Sequence, residues 1–135
     1  IDFDNLLLVV VEILHSCPNV LERSRQRWHY IMVDEFQDTN TVQYAMVKLL
    51  SIESKRLFVV GDPDQAIYGW RGAQVRNMVQ QIQLDFPGLH TLTLRDNYRS
   101  TSSICSAADT LMAGATAKGQ RKTLRPMKEE GPKIS

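Results

Sequence analysis

Ile31-Met32-Val33-Asp34-Glu35-Phe36-Gln37-Asp38-Thr39-Asn40 is the stretch on which the fold turns. From His29 to Val33 the residues are largely apolar, and the run ends abruptly in two acids, as a short buried strand does. Downstream, Thr41 to Leu50 places apolar residues at 42, 45, 46, 49 and 50, a helical spacing. Leu57 to Val60 reads as a second apolar strand, stopped by the turn signal Gly61-Asp62-Pro63. Val75, Met78, Val79 and Ile82 mark a long helix, and Pro87-Gly88 a turn. Leu89 to Leu94 alternates like a strand, and Ser100 or Thr101 is placed to cap a helix running to about Ala113. Upstream, Phe3, Leu6, Leu7, Val10, Val11 and Leu14 recur at helical spacing behind Asp2 and Asp4, acids that suit a helix N-terminus. Pro18 breaks that helix, and Val20 to Arg27 forms a short second one. Strands alternating with helices predict an α/β fold with a parallel sheet flanked by helices, in which ligands gather at the carboxyl ends of the strands.

With 135 residues, 43% of them apolar and 23% charged, the composition is that of one ordinary globular domain. The longest apolar run, Leu6 to Val11, is far short of the roughly 20 residues a membrane span needs, so no membrane is expected as partner. Cys17 and Cys105 lack metal-site or CxxC spacing and are expected to be buried reduced thiols of an intracellular protein. Net charge is +1, split as −3 over residues 1–113 and +4 over residues 114–135. Overall charge therefore makes no case for nucleic-acid binding, and any such case rests on placed residues. The chain opens with Ile1 just ahead of an apolar-periodic segment, which suggests a piece of something longer.

Three clusters stand out. In the first, a carboxylate such as Asp34 at the tip of a buried strand is fixed and shielded from bulk water. It is a hard oxygen donor of the kind magnesium takes beside phosphate oxygens. A neighbouring carboxylate, Glu35, is then placed to activate a water if the chain turns there. The plainer reading is a strand ending in solvated acids before a helix cap, but Gln37-Asp38-Thr39-Asn40 extends further than a cap requires. In the second cluster, Gly61-Asp62-Pro63-Asp64-Gln65-Ala66-Ile67-Tyr68-Gly69-Trp70-Arg71-Gly72-Ala73, Tyr68 and Trp70 offer flat faces for unpaired bases and Arg71 a cation for phosphate. Core packing of the two aromatics is the commoner alternative. In the third, Leu94-Arg95-Asp96-Asn97-Tyr98-Arg99-Ser100, Arg99 sits near a helix N-terminus, where the dipole favours anions; a phosphate partner would explain it, though an exposed arginine costs little there.

In this order the clusters resemble the UvrD/Rep/PcrA-type DNA helicases of superfamily 1. VDEFQDTN is similar to that family's Walker B motif, GDPDQAIYGWRGA to its third motif and LRDNYRS to its fourth. Asp2-Phe3-Asp4-Asn5-Leu6-Leu7 resembles the stretch ahead of Walker B, with Asn5 where aspartate is usual. The resemblance implies a partial RecA-like P-loop NTPase domain. Residues 1–95 would end the first RecA-like, ATP-binding domain and residues 96–135 begin the second. It further implies that Asp34 holds Mg2+, Glu35 activates the hydrolytic water and Gln65 senses the γ-phosphate of ATP. Arg99 would act as an arginine finger, and Tyr98 would stack near the adenine. Tyr68, Trp70 and Arg71 would grip single-stranded DNA. Ala66 and Trp70 depart mildly from the usual serine and phenylalanine.

No GxxxxGK[ST] occurs: Gly114-Ala115-Thr116-Ala117-Lys118-Gly119 has the glycine spacing, but Gln120-Arg121 follows, and the segment reads as a flexible basic loop. The Walker A part is thus missing, and the isolated chain is expected to be inactive. The function implied is part of an ATP-dependent 3′–5′ helicase acting on single strands and on junctions of single- and double-stranded DNA, in repair or recombination, with the remaining helicase domains of the parent chain as partners. Its place would be the nucleus of a eukaryote or the cytoplasm and nucleoid of a bacterium. Two alternatives stand beside it: a noncatalytic DNA-binding or interaction module, and the motor segment of a helicase-nuclease.

Overall fold

The Asp2 carboxylate accepts the Asn5 N–H at 2.8 Å and so starts helix α1, Phe3–Ser16, by satisfying one of the donors that a helix leaves unpaired. Pro18, at the first position of α2 (Pro18–Arg27), suits a helix start because that position needs no N–H donor. Arg25 reaches from α2 to the end of α3 (Thr41–Ser51), donating through Nε and Nη2 to the Leu49 carbonyl at 3.0 and 2.7 Å, and it pairs with Glu53. A reciprocal cap begins α3. Asn40 Oδ1 accepts the Gln43 N–H at 2.9 Å, and Gln43 Oε1 accepts the Asn40 N–H at 3.0 Å. Asn40, the last residue of the polar run that extends further than a cap requires, is the cap.

This computed structural model describes residues 2–114 and 123–133. The chain divides into two compact units, Ile1–Leu89 and His90–Ser135. In the first, β1 (Ile31–Val33) and β2 (Leu57–Val59) pair in parallel, Ile31 beside Leu57 and Val33 beside Val59. The buried strand expected at 29–33 is covered on one face only: Met32 is 76% exposed, and Phe58 of β2 is 62% exposed. On the covered face Val33, Leu57 and Val59 pack against a core of Phe36, Tyr44, Ile82 and Phe86. Phe36 is wholly buried and meets Tyr44 at 6.1 Å between ring centres, tilted by 53°.

The long helix expected after residue 75 is present but interrupted: Asn77–Gln81 forms a π-helical turn that leads into α4, Ile82–Asp85. The Asp85 carboxylate ties α4 to α3, accepting from Tyr44 Oη at 2.8 Å, Lys48 Nζ at 2.8 Å and Gln81 Nε2 at 3.2 Å. Burial works against its charge, but these donors prevail and hold the carboxyl below its ordinary value; burial and the Asp85 carboxylate together push the Tyr44 phenol upward.

In the second unit the expected strand at 89–94 does not form. Leu92 and Leu94 are exposed, and no described strand pairs with the segment, which leaves its alternating pattern without a ladder. The strand lies just beyond, as β3 (Asp96–Asn97), parallel to β4 (Arg125–Pro126). Helix α5 (Ser102–Ala113) follows Thr101, whose side chain makes no capping bond. Cys105 is buried as expected, whereas Cys17, at the α1–α2 joint, is exposed, because the sharp turn there faces solvent. Of the glycine-spaced segment 114–119 and its continuation to 121, residues 115–121 lie outside the described residues.

Candidate functional site

Parallel pairing sets the tips of β1 and β2 side by side and continues past the strands. Val60 donates to the Val33 carbonyl at 2.8 Å, and Phe36 to the Val60 carbonyl at 2.9 Å. The chain then turns sharply at Glu35, which holds φ 48° and ψ 43°. A residue with a β-carbon enters this left-handed region at a cost of roughly 1–2 kcal/mol, and such strain clusters where geometry serves a ligand. The condition set for Glu35 in the sequence is met: the chain turns there and does not stay extended. Asp34 Oδ1 accepts the Glu35 N–H at 2.9 Å, while no described residue bonds Asp34 Oδ2. Both carboxylates are exposed, so the shielding expected for Asp34 is absent; the uncovered sheet face leaves the tip open to water.

Gln37 is 1% exposed and connects the two strand tips. Its Nε2 donates to Glu35 Oε2 at 2.7 Å and, at 3.4 Å, to Asp38 Oδ2. Its Oε1 accepts the Asp62 N–H at 3.0 Å. Asp62 then begins the single 3-10 turn Pro63–Gln65, accepting from the Asp64 N–H at 3.2 Å and from Gln65 Nε2 at 2.9 Å. A continuous run of hydrogen bonds therefore joins Glu35 to Gln65. Gly61 lets the two segments close: a β-carbon there would lie 2.6 Å from Gln37 Oε1 and 3.1 Å from Phe36 N. Asp38 Oδ1 is buried without a hydrogen-bond partner among the described residues.

Beyond Gln65 the loop is exposed but anchored. Gln74 donates to the Thr39 carbonyl at 2.9 Å, Asn40 and Ala73 form an antiparallel bridge, and Asn77 Nδ2 donates to the Thr39 carbonyl at 3.1 Å. Gly72 closes the turn at φ 84°. Between these anchors stand Tyr68, 39% exposed, and Trp70, 79% exposed, with ring centres 6.4 Å apart. The Arg71 guanidinium lies 5.2 Å from the Trp70 ring centre and 5.9 Å from that of Tyr68. Core packing, the commoner alternative, is thus not the fate of Trp70, and the three form an exposed cation–aromatic surface.

Arg99 and Tyr98 belong to the second unit, and both are exposed. Asn97 Oδ1 accepts the backbone N–H groups of Arg99 at 2.9 Å and Ser100 at 2.8 Å, and Lys128 Nζ donates to the Arg99 carbonyl at 3.0 Å. Asp96 receives Arg125 Nε and Nη2 at 2.7 and 2.8 Å; these bonds hold its carboxyl below the ordinary value and push the guanidinium up.

Gln37 and Asn77 escaped the sequence reading as individual residues. Gln37 stood in a polar run, and only its burial between two segments 25 residues apart reveals its work.

The model of the UvrD/REP helicase N-terminal domain family matches residues 1–87. DNA helicase II of Salmonella typhimurium (strain LT2) is 52% identical over 112 residues, and DNA helicase II of Escherichia coli (strain K12) is 51% identical over 112. The ATP-dependent DNA helicase PcrA of Leuconostoc citreum is 47% identical over 112. Each match covers 83% of this chain and 15% of the relative, so the chain spans about 15% of the length of these curated relatives.

Proposed function

Since the chain belongs to the UvrD/REP helicase N-terminal domain family, we propose that it is the part of an ATP-dependent DNA helicase in which nucleotide hydrolysis meets the grip on single-stranded DNA. The observation that carries this reading is the joining of the Asp34–Glu35 turn to the Tyr68–Trp70–Arg71 loop through Gln37, Asp62 and the Asn40–Ala73 bridge. Asp34, with Oδ2 uncommitted, fits the single hard oxygen that magnesium takes from protein while keeping its waters. Magnesium bound there supplies charge neutralisation for the phosphates. Glu35, held by the turn and by Gln37, accepts the proton of the attacking water. Gln65 follows the γ-phosphate, and its loop transmits the state of the nucleotide to Tyr68 and Trp70, which stack on bases while Arg71 meets phosphate. On the second unit Arg99 serves as the arginine finger and Tyr98 as the stacking partner of the adenine.

In this reading the first unit is the later part of a RecA-like ATP-binding domain and the second unit opens the next. The direction of travel is 3′ to 5′, the substrates are single strands and their junctions with duplex, the purpose is repair or recombination, and the setting is the cytoplasm and nucleoid of a bacterium. In the full-length protein Glu35→Gln should abolish DNA-stimulated ATP turnover and leave nucleotide binding within about twofold, because the substitution removes a base but no phosphate contact. Near-normal hydrolysis by that variant would overturn the assignment of Glu35.

A further inference from the structure

We infer that Gln37 is a positioning residue that couples the Glu35 carboxylate to the Gln65 loop through the two ends of one buried amide. The inference rests on the hydrolytic reading of Glu35 and Gln65. Gln37 belongs to no core cluster although it is almost wholly buried, so its burial needs another reason. A buried primary amide is costly unless its donors and acceptor are met, and here they are met by two different segments. Nε2 faces Glu35 at 2.7 Å, and Oε1 faces the N–H of Asp62 at 3.0 Å. Asp62 in turn holds Gln65 Nε2 at 2.9 Å.

The geometry leaves little slack. Gly61 lies so close that a β-carbon would stand 2.6 Å from Gln37 Oε1, and the neighbouring backbone N–H of Phe36 is already tied to the Val60 carbonyl. The amide plane cannot turn without releasing one partner. A shift of the Asp62 turn as Gln65 follows its ligand therefore pulls on the amide and re-aims Glu35. Glu35 has no other described hydrogen bond to its carboxylate, and its strained backbone offers a second conformation to relax into.

The two ends can be separated by substitution in the full-length protein. Gln37→Glu keeps an oxygen for the Asp62 N–H but replaces the donor to Glu35 with a second carboxylate. Gln37→Met removes both ends at nearly the same length. Gly61→Ala presses on Oε1 from outside.

Two measurements read the result: kcat and KM for ATP with saturating single-stranded DNA, and amide hydrogen exchange of residues 61–66 without nucleotide. For Gln37→Glu, kcat should fall about tenfold or more with KM for ATP within about threefold, and exchange at Asp62 should stay slow. Gln37→Met should lose at least as much kcat, and exchange at Asp62 should quicken by about tenfold. Gly61→Ala should show the same selective fall in kcat, which keeps the test open should Gln37→Met fail to fold.

An unchanged kcat in folded Gln37→Glu and Gly61→Ala overturns the inference. So does a fall in kcat matched by an equal rise in KM and a lowered melting temperature, the mark of a merely structural amide. If Glu35→Gln is inactive while the Gln37 variants are normal, the positioning role alone falls; if Glu35→Gln hydrolyses ATP normally, the hydrolytic reading falls first.

Discussion

Trp70 and Phe36 are both large aromatics close to a strand tip, yet one is 79% exposed and the other fully buried. Truncating them should have opposite consequences. Phe36→Ala empties the centre of the core and should lower unfolding free energy by about 3–5 kcal/mol, read by denaturant titration. Trp70→Ala removes nothing from the interior and should change stability by less than about 0.5 kcal/mol. It should nevertheless weaken binding to single-stranded DNA by about 1–3 kcal/mol, the usual worth of one stacked base, measured by fluorescence anisotropy. Unaltered DNA affinity would leave Trp70 as an exposed ring without a task. At this scale the sequence named candidate residues but not their burial. Tyr68, Trp70 and Arg71 were nameable as a stacking surface, yet only packing could separate that from a core role. Phe36, lying between two acids and a polar run, gave no periodic sign of its complete burial in the sheet's cover.

Among the elements, helices were far more legible than strands, and the reason is the source of their hydrogen bonds. A helix satisfies its own backbone, so apolar spacing alone suffices to place α1 and α3. A strand needs a neighbour, and the alternation at 89–94 found none, whereas Asp96–Asn97, with no apolar pattern at all, became β3 by pairing with Arg125–Pro126. The π-helical turn at Asn77–Gln81 was equally hidden in the apolar spacing of Val75, Met78, Val79 and Ile82. It lies where Asn77 bonds the Thr39 carbonyl and Gln81 meets Asp85, and a five-residue turn is the known local departure at such sites. The Asp85 tie between α3 and α4 has a pH signature. Its carboxyl is held below the unfolded value of 3.8, so its stabilisation is complete above about pH 4 and is lost as pH falls through the lower folded value. Asp85→Asn should therefore flatten the fall of stability below about pH 4, followed by circular dichroism in acid. A variant curve that drops as steeply as the parent's would remove Asp85 from the acid response.

At the scale of the molecule, the division at Leu89 and His90 gives residues 90–95 a particular standing. They have no regular secondary structure, and all of them, His90, Thr91, Leu92, Thr93, Leu94 and Arg95, are exposed. Such a segment offers a protease extended backbone and apolar side chains without any need to open a core. Limited thermolysin digestion of the chain should thus cut first beside Leu92 or Leu94, yielding one piece ending near the close of the first unit and another beginning just before β3. Phe36, Ile82 and Phe86, apolar residues the same enzyme accepts, should be spared because each is buried in the first unit's core. Mass spectrometry of the first products decides the matter: an initial cut beside Phe36, Ile82 or Phe86 would mean that the first unit is looser than its packing implies. The outcome bears on function through the placement of the motifs. Glu35, Gln65 and Trp70 lie in one unit and Arg99 in the other. A cut confined to 90–95 would separate the proposed arginine finger from the proposed base while leaving the Glu35–Gln37–Asp62–Gln65 hydrogen bonds whole, so the first piece should retain slow exchange at Asp62.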